Sequence, residues 1–149
     1  MKSLFEEATK VELLNRIDSI SPQATRLWGM MEVSQMLCHC KRALEMACGE
    51  LNPKRIFIGR IIGPIFKSKY SNEQSFDQSS PTSVELVVRD LPEFEKEKQR
   101  LKELVIQFSG GGEAKVTKRP HPFFGPLKPE EWGKGMYKHL DHHLRQFGY

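Results

Sequence analysis

The sequence has little of what marks a secreted, membrane-spanning or disulfide-stabilised protein. Its 149 residues include three cysteines, and an odd number excludes a complete intramolecular disulfide framework. No run approaches the roughly 20 apolar residues that a membrane span needs, and the most apolar segment, residues 56–66, is interrupted by Arg60 and Pro64. The N-terminal residues include acidic side chains where a signal peptide would be apolar. We therefore expect a cytoplasmic protein without a membrane span.

Motifs of several common binding and enzyme classes are also missing. The sequence contains no GxGxxG or GxxxxGKS/T phosphate loop, which argues against nucleotide binding, and no GxSxG elbow for a serine nucleophile. Its 23 lysines and arginines are interleaved with 19 aspartates and glutamates, which gives a net charge of +4. Because a nucleic-acid binder usually concentrates its basic residues on one face, we expect no nucleic-acid partner.

Helix-forming segments make up most of what is present. Hydrophobic residues are 38% and charged residues 28% of the chain, a balance typical of a folded domain, and we predict one domain over residues 1–149. Helical spacing and end signals predict four helices, at residues 4–20, 33–48, 91–108 and 129–147. Asp90 and Pro92 fit the start of the third helix. Only residues 83–88 are typical of extended structure, so the predicted class is all-α, a four-helix bundle.

The connection between the second and third helices is long. Residues 50–89 exceed what a tight helical hairpin needs. Within them, the apolar and basic residues 55–70 suggest a short irregular helix. We interpret its apolar part, residues 56–66, as a lid packed on the bundle; contact with a membrane surface or a partner is the alternative. The polar residues 71–83 are typical of a surface loop. This length permits a crossover and is compatible with an up-down-down-up order of the four helices.

Two histidines on the fourth helix carry the main chemical signal. His139 and His143 lie one turn apart, on a helix face that we expect to be buried and that also carries Trp132, Met136, Leu140 and Phe147. That spacing lets two imidazoles reach one metal ion. Each buried ring has a donor and an acceptor to satisfy, so the alternative is that each binds a neighbouring side chain or a buried water. The pattern favours neither reading strongly.

His39 on the second helix is the third candidate ligand. It lies about two turns from the start of its helix, and His143 lies about one turn from the end of the fourth helix. The three rings therefore share a level if these two helices are antiparallel, which the up-down-down-up order requires. The predicted site and the predicted topology depend on each other.

The same arrangement brings the segment before the third helix to the metal end of the bundle. Ser83, Glu85 and Asp90 are then expected to lie closer to the pocket than His121 does, where their polar groups could contact a substrate. His121 stands in a proline-flanked aromatic segment, which we interpret as a structural plug.

Other side chains near the predicted site receive lesser roles. His142 points to the flank of the fourth helix, where it is either solvated or a support for the ligands. Glu32, near the start of the second helix, is the candidate general base. Cys38 and Cys40 point to different sides of their helix and cannot form a compact metal or redox pair. We predict that Cys40 is buried and that Cys38 is half-exposed.

Three segments together resemble a known family: WGMMEVSQMLCHC (28–40), HPFFGPLKPEEWG (121–133) and MYKHLDHHLRQFGY (136–149). They are similar to an uncharacterised, domain-of-unknown-function branch of the DinB/YfiT-like metalloenzyme superfamily, and the likeness covers nearly the whole chain. The resemblance implies a single DinB-like domain, an up-down-down-up four-helix bundle. It also implies a divalent metal ion bound by one histidine of the second helix and an HxxxH pair of the fourth. In this sequence those positions are His39, His139 and His143.

The end of the chain both matches and departs from that superfamily. Its last helix often reads HHRGQ, and this sequence reads HHLRQ, so Gln146 matches while Leu144 and Arg145 differ. We assign Gln146, with His142 and Glu32, to the surroundings of the metal site. Members of the superfamily that the sequence resembles include metal-dependent thiol transferases and a thiol-dependent isomerase.

Two classes of function remain open from the sequence. Three imidazoles with one open position suit a metal-dependent enzyme, either hydrolase-like or thiol-transferase-like, acting on a small-molecule substrate or thiol. The alternative is a non-catalytic bundle that binds a metal or small ligand and acts through protein contacts. A ligand set of imidazoles without thiolate suits Zn or Ni first, and also Co or Fe. The sequence leaves open whether the chain forms a homodimer.

Overall fold

The chain folds into α-helices. The computed structural model describes residues 1–78 and 84–149, and these contain five α-helices and no β-strand. The helices are α1 (Glu7–Ser19), α2 (Val33–Cys48), α3 (Phe57–Ser71), α4 (Phe94–Gly111) and α5 (Pro129–Gln146). The predicted all-α class is confirmed, with one helix more than the four expected. None of the helices in the described ranges is long and apolar enough to cross a membrane.

The ends of α2 and α5 follow local sequence signals. At the start of α2, the Glu32 backbone N–H donates a hydrogen bond to the Gln35 side chain (2.9 Å). Gly49 ends α2 with φ of 81°, a left-handed conformation that favours glycine, and its N–H donates to the Met46 carbonyl. Pro129 is the first residue of α5, as predicted. These two helices carry all the predicted metal ligands.

The α4 helix begins later than predicted. Asp90 and Pro92 were expected at its start, but the helix begins at Phe94. The cause is tertiary, because the Gln35 side chain on α2 lies 3.2–3.4 Å from the backbone carbonyls of residues 88–90 and holds this segment against α2. The predicted helix start is therefore wrong by three residues.

A regular helix, α3, occupies the connection where a short irregular piece was expected. It includes Pro64 and packs on α5. Its packed side carries Gly59, Gly63 and Tyr70, which are buried. Because two of these three residues have no side chain, no apolar stripe marks the buried side of α3 in the sequence.

The extended piece expected at residues 83–88 does not form a strand in its described part. Val84–Leu86 form one 3₁₀ turn, and Ser83 lies outside the described residues. The carbonyls of this segment accept hydrogen bonds from side chains of α2, including Arg42, instead of from a neighbouring strand. The extended interpretation was wrong for this reason.

The core lies between α1, α2, α4 and α5 and includes the predicted inner face of α5. Trp132, Met136, Leu140 and Phe147 are all buried, which confirms that prediction. Cys40 is buried as expected. Cys38 was expected to be half-exposed, but it is buried as well, since α2 contacts both α4 and α5 and therefore has two buried sides.

Candidate metal centre

Three histidines from two helices converge in the interior. His39 on α2 and His139 and His143 on α5 each offer a ring nitrogen, and these atoms all lie within 4.8 Å of one another. Their ring centroids are between 4.6 and 4.9 Å apart. In the described part of the chain, no other group of three or more His, Cys, Asp or Glu side chains has this geometry. The structure thus brings together the three residues that the sequence suggested as ligands.

Hydrogen bonds on the far side of two rings fix their tautomers. The His39 Nδ1 is 2.9 Å from the Leu86 carbonyl oxygen, which can only accept, so this nitrogen carries the proton. The His143 Nδ1 is 2.9 Å from Oε1 of Gln146, whose amide nitrogen donates to the Trp28 carbonyl (2.9 Å) and so fixes the orientation of the amide. Both rings therefore keep an unprotonated Nε2 for a ligand, as metal-binding histidines do.

His139 is the ring with incomplete hydrogen bonding. Its Nε2 lies 2.9 Å from the His39 Nε2, and its Nδ1 is buried with no hydrogen-bond partner among the described residues. If the His139 Nε2 carries a proton, it can donate a hydrogen bond to the His39 Nε2, but the Nε2 of His143 is left without a partner in this group. A divalent cation between the rings would instead satisfy the lone pairs of all three, so the donor set fits such an ion.

Burial keeps the three imidazoles neutral. Desolvation lowers the pKa of His39 and holds that of His139 well below its usual value. Desolvation, reinforced by the neighbouring His39, lowers the pKa of His143 to about 3. The neutral ring is the form that binds a metal ion, so the site is in its binding-competent protonation state at neutral pH.

His142 lies beside the cluster at the edge of a cavity. Its ring meets those of Trp28 and His143 edge-on, with centroids 5.7 and 5.0 Å apart. It also lines a cavity of about 280 Å³, together with Trp28, Phe76 and Lys138 among others. His142 is therefore half-buried between the histidine cluster and this cavity.

Glu32, the candidate general base, is held elsewhere. Its carboxylate forms an ion pair with the Arg26 Nη1 at 2.7 Å, and its side chain is 55% exposed. Its observed hydrogen bonds go to Arg26 and to the first turn of α2, and none of them goes to the histidines. The contacts give Glu32 a role at the start of α2.

The segment before α4 contacts α2 and reaches the histidine cluster. It supplies the Leu86 carbonyl to His39. Next to it, Glu85 has one carboxylate oxygen that is buried without a hydrogen-bond partner among the described residues. Asp90 is exposed, and Ser83 lies outside the described residues.

His121 is buried in an aromatic cluster. Its Nδ1 accepts hydrogen bonds from the backbone N–H groups of Phe123 and Phe124 (3.1 and 3.2 Å). Its ring centroid is 5.4 Å from that of Tyr70 and 5.5 Å from that of Trp132. These contacts agree with the structural role predicted for it.

Comparison with known proteins places the chain in a family. A family model described as "Protein of unknown function (DUF1569)" matches residues 5–148, nearly the whole chain. The chain belongs to this family. No curated protein and no solved structure matches it. The DUF1569 description names no activity and does not connect the chain with the DinB/YfiT-like superfamily, so that resemblance stays a prediction.

Buried His121 predicts a pH-dependent stability for this DUF1569 protein. Desolvation, with a smaller contribution from Arg55, lowers its pKa from 6.5 to about 3. Between these values the unfolded chain binds a proton that the folded chain does not, so the free energy of unfolding falls as the pH falls. We expect His121 to contribute a slope of about 1.4 kcal/mol per pH unit below pH 6.5.

Urea denaturation of chelator-treated protein at pH 7 and pH 5 measures this slope. The His121→Asn variant should lose the contribution and show a flatter pH dependence, whatever its absolute stability. Identical slopes for the variant and the unchanged protein would mean that His121 is not held neutral in the folded chain.

Proposed function

We propose that the protein binds one divalent metal ion through His39, His139 and His143 and uses it in a hydrolase-like or thiol-transferase-like reaction on a small molecule. The observation that carries the proposal is the convergence of three neutral imidazoles, two of which are oriented by Leu86 and Gln146. What such an ion supplies when bound is Lewis acidity toward a water or a thiol. The imidazole donors suit Zn or Ni first, and then Co or Fe.

The chain's own residues would position the ion and admit the substrate. The Leu86 carbonyl and the Gln146 amide accept hydrogen bonds from Nδ1 of His39 and His143, which fix the orientation of the two rings and raise the basicity of their Nε2 atoms. Three protein ligands leave a coordination position for a substrate or a water.

The size of the cavity beside His142 favours a small molecule as the substrate. Its volume of about 280 Å³ lies just below the usual range of roughly 300–1,000 Å³ for ligand pockets. The rings of Trp28 and Phe76 offer apolar surface. The Lys138 Nζ lies 4.3 Å from the Phe76 ring centroid and donates to Asn72 (3.1 Å), which holds this ammonium group at the cavity wall.

The proposal includes the up-down-down-up order of α1, α2, α4 and α5. Lys98 near the start of α4 donates to the Asp18 carbonyl at the end of α1 (2.8 Å), while Phe108 near the end of α4 stacks on Phe5, just before α1. These contacts support an antiparallel α1–α4 pair.

Contacts of α2 support the remainder of that order. Lys41 pairs with Glu97 at 2.7 Å, and Glu50 accepts a hydrogen bond from Gln107 at 2.8 Å, so contacts advance in the same direction along α2 and α4. On the other side of α2, His39 meets His143 of α5, and Trp28, which precedes α2, accepts a hydrogen bond from Gln146 at the end of α5. A parallel α2–α4 pair and an antiparallel α2–α5 pair agree with the up-down-down-up order, and the antiparallel α2–α5 pair is the part that a three-histidine site requires.

Membership of the DinB/YfiT-like superfamily belongs to the same proposal. Its support is that the three ligands implied by the resemblance are the three histidines that converge. One observation favours the non-catalytic alternative, a bundle that binds a metal or small ligand and acts through protein contacts. In the described residues, no Asp or Glu side chain belongs to the converging group, so the group itself contains no carboxylate base.

Turnover assays separate the two functions. The protein would be loaded with Zn or Ni and tested against panels of esters, amides and thiol-transfer substrates, with chelated protein and the His139→Ala variant as controls. The enzyme proposal expects turnover that requires both the metal and His139. Stoichiometric metal binding without turnover of any of the three substrate classes would favour the non-catalytic alternative.

A further inference from the structure

The α3 helix turns its large apolar side chains toward solvent. The exposed fractions are 76% for Phe57, 52% for Ile58, 58% for Ile61, 73% for Ile65 and 39% for Phe66. Elsewhere in the described chain, the other helices expose at most one large apolar residue each, and the remaining ones lie in the segments before α2 and α4. Isolated exposed apolar residues are ordinary, whereas a contiguous group marks an interaction surface.

Packing fixes this orientation. Gly59 and Gly63 lie on the inner side of α3, directly against the backbone of Phe123. A Cβ at Gly59 would lie 2.7 Å from the Phe123 carbonyl oxygen, and one at Gly63 would lie closer still. The C-terminal end of α3 is anchored by Tyr70, which is buried. Because the backbone of α3 packs directly on that of Phe123, the apolar side chains of α3 cannot turn toward the bundle. The apolar face of α3 therefore stays exposed to solvent.

The sequence segment that contains α3 is the most basic part of the chain. Residues 51–71 contain five basic side chains and no acidic one. Because the chain has 23 basic and 19 acidic residues in all, the remainder has 18 basic and 19 acidic residues. Arg60 and Lys69 lie on α3 beside its apolar residues, are exposed, and form no ion pair with the described residues, whereas Lys67 pairs with Glu131 at 3.0 Å. The whole net positive charge therefore belongs to this segment.

We propose that α3 docks on the surface of an anionic phospholipid bilayer, lying in the plane of the interface. An apolar face bordered by lysine and arginine is the pattern of a helix that inserts among headgroups while its basic side chains contact lipid phosphates. At 15 residues, α3 is about 22 Å long, so it lies on a bilayer rather than crossing it.

Charge argues against a second copy of the chain as the occupant. Two copies meeting through α3 would bring the exposed Arg60 and Lys69 of each copy close to those of the other, and like charges repel. The surface is separate from the histidine cluster, so the docking proposal does not depend on metal binding or turnover.

Co-sedimentation of the intact protein with vesicles tests the proposal. Vesicles of phosphatidylcholine alone would be compared with vesicles that also contain phosphatidylserine, at low and at high salt. We expect binding to the phosphatidylserine vesicles that weakens as salt screens the charges, and little binding to phosphatidylcholine alone.

Paired variants assign the binding to α3. Ile58→Asp should weaken vesicle binding about tenfold, whereas Ile106→Asp on α4 should not, although both isoleucines are 52% exposed. Arg60→Glu should weaken binding at least about fivefold. Lys96→Glu on α4 makes the same change in net charge at an exposed position and should have little effect. All four positions are exposed, and thermal unfolding would verify that each variant folds.

Three outcomes would overturn the proposal. The first is no binding to phosphatidylserine vesicles at low salt. The second is an equal loss in the α3 variants and their α4 controls, which would mean that binding reflects net charge alone. The third is a protein that does not bind vesicles and uses α3 for another contact. That contact would be a dimer that Ile58→Asp dissociates, or an acidic protein that binds to α3.

Discussion

Replacing His139 with alanine is expected to abolish stoichiometric metal binding. His139 supplies one of three converging imidazoles, and its Nε2 lies 2.9 Å from that of His39. Losing a group that merely supports a ligand costs about 10- to 100-fold in metal affinity, and losing a ligand costs more. Elemental analysis of protein purified without chelator should give up to about one equivalent of metal per chain, and none for His139→Ala.

His142→Ala is the matched control for this substitution. It removes an imidazole from the same helix, adjacent in sequence to His143, but outside the group of converging nitrogens. The control should keep most of its metal. Equal metal contents for the unchanged protein and His139→Ala would place the ion elsewhere, and equal losses in both variants would remove the distinction between His139 and His142.

Replacing Leu140 with alanine is expected to lower the free energy of unfolding by about 2–5 kcal/mol. Leu140 is 1% exposed, on the face of α5 that carries His139 and His143. The substitution removes buried apolar surface and leaves a cavity that the surrounding helices can fill only in part. The shift in the urea midpoint of the metal-free protein measures the effect without a contribution from bound metal.

Leu91→Ala is the corresponding control, since Leu91 is 73% exposed. Its free energy of unfolding should change by less than about 0.5 kcal/mol. A Leu140→Ala variant as stable as Leu91→Ala would mean that this face of α5 is not packed in the core. His139 and His143 on the same face would then not be desolvated, and burial could not keep their imidazoles neutral.

Helices with clear end signals and apolar stripes could be predicted from the sequence. The predicted bounds of α2 agree with those observed, because Gly49 ends the helix and its apolar residues recur at helical spacing. The α3 helix was underestimated because its buried side carries Gly59 and Gly63. The start of α4 was misplaced because Gln35, distant in sequence, binds the segment that precedes the helix.

The histidine site also contains residues that the sequence predicts and residues that it does not. His139 and His143 could be predicted from their spacing on an apolar helix face. His39 could be added only by assuming that its helix is antiparallel to the fourth predicted helix. The groups that orient the rings were harder to find. Leu86 and Trp28 act through backbone carbonyls, which leave no side-chain signal, and Gln146 was singled out only by a family resemblance.

The most direct test of the three-histidine centre is an X-ray absorption spectrum at the zinc edge, recorded on protein loaded with one equivalent of Zn. The account predicts scattering from three imidazole rings, with their nitrogens at about 2.0–2.1 Å from the metal. A sulfur ligand at about 2.3 Å, or a shell of oxygen atoms without imidazole scattering, would contradict it.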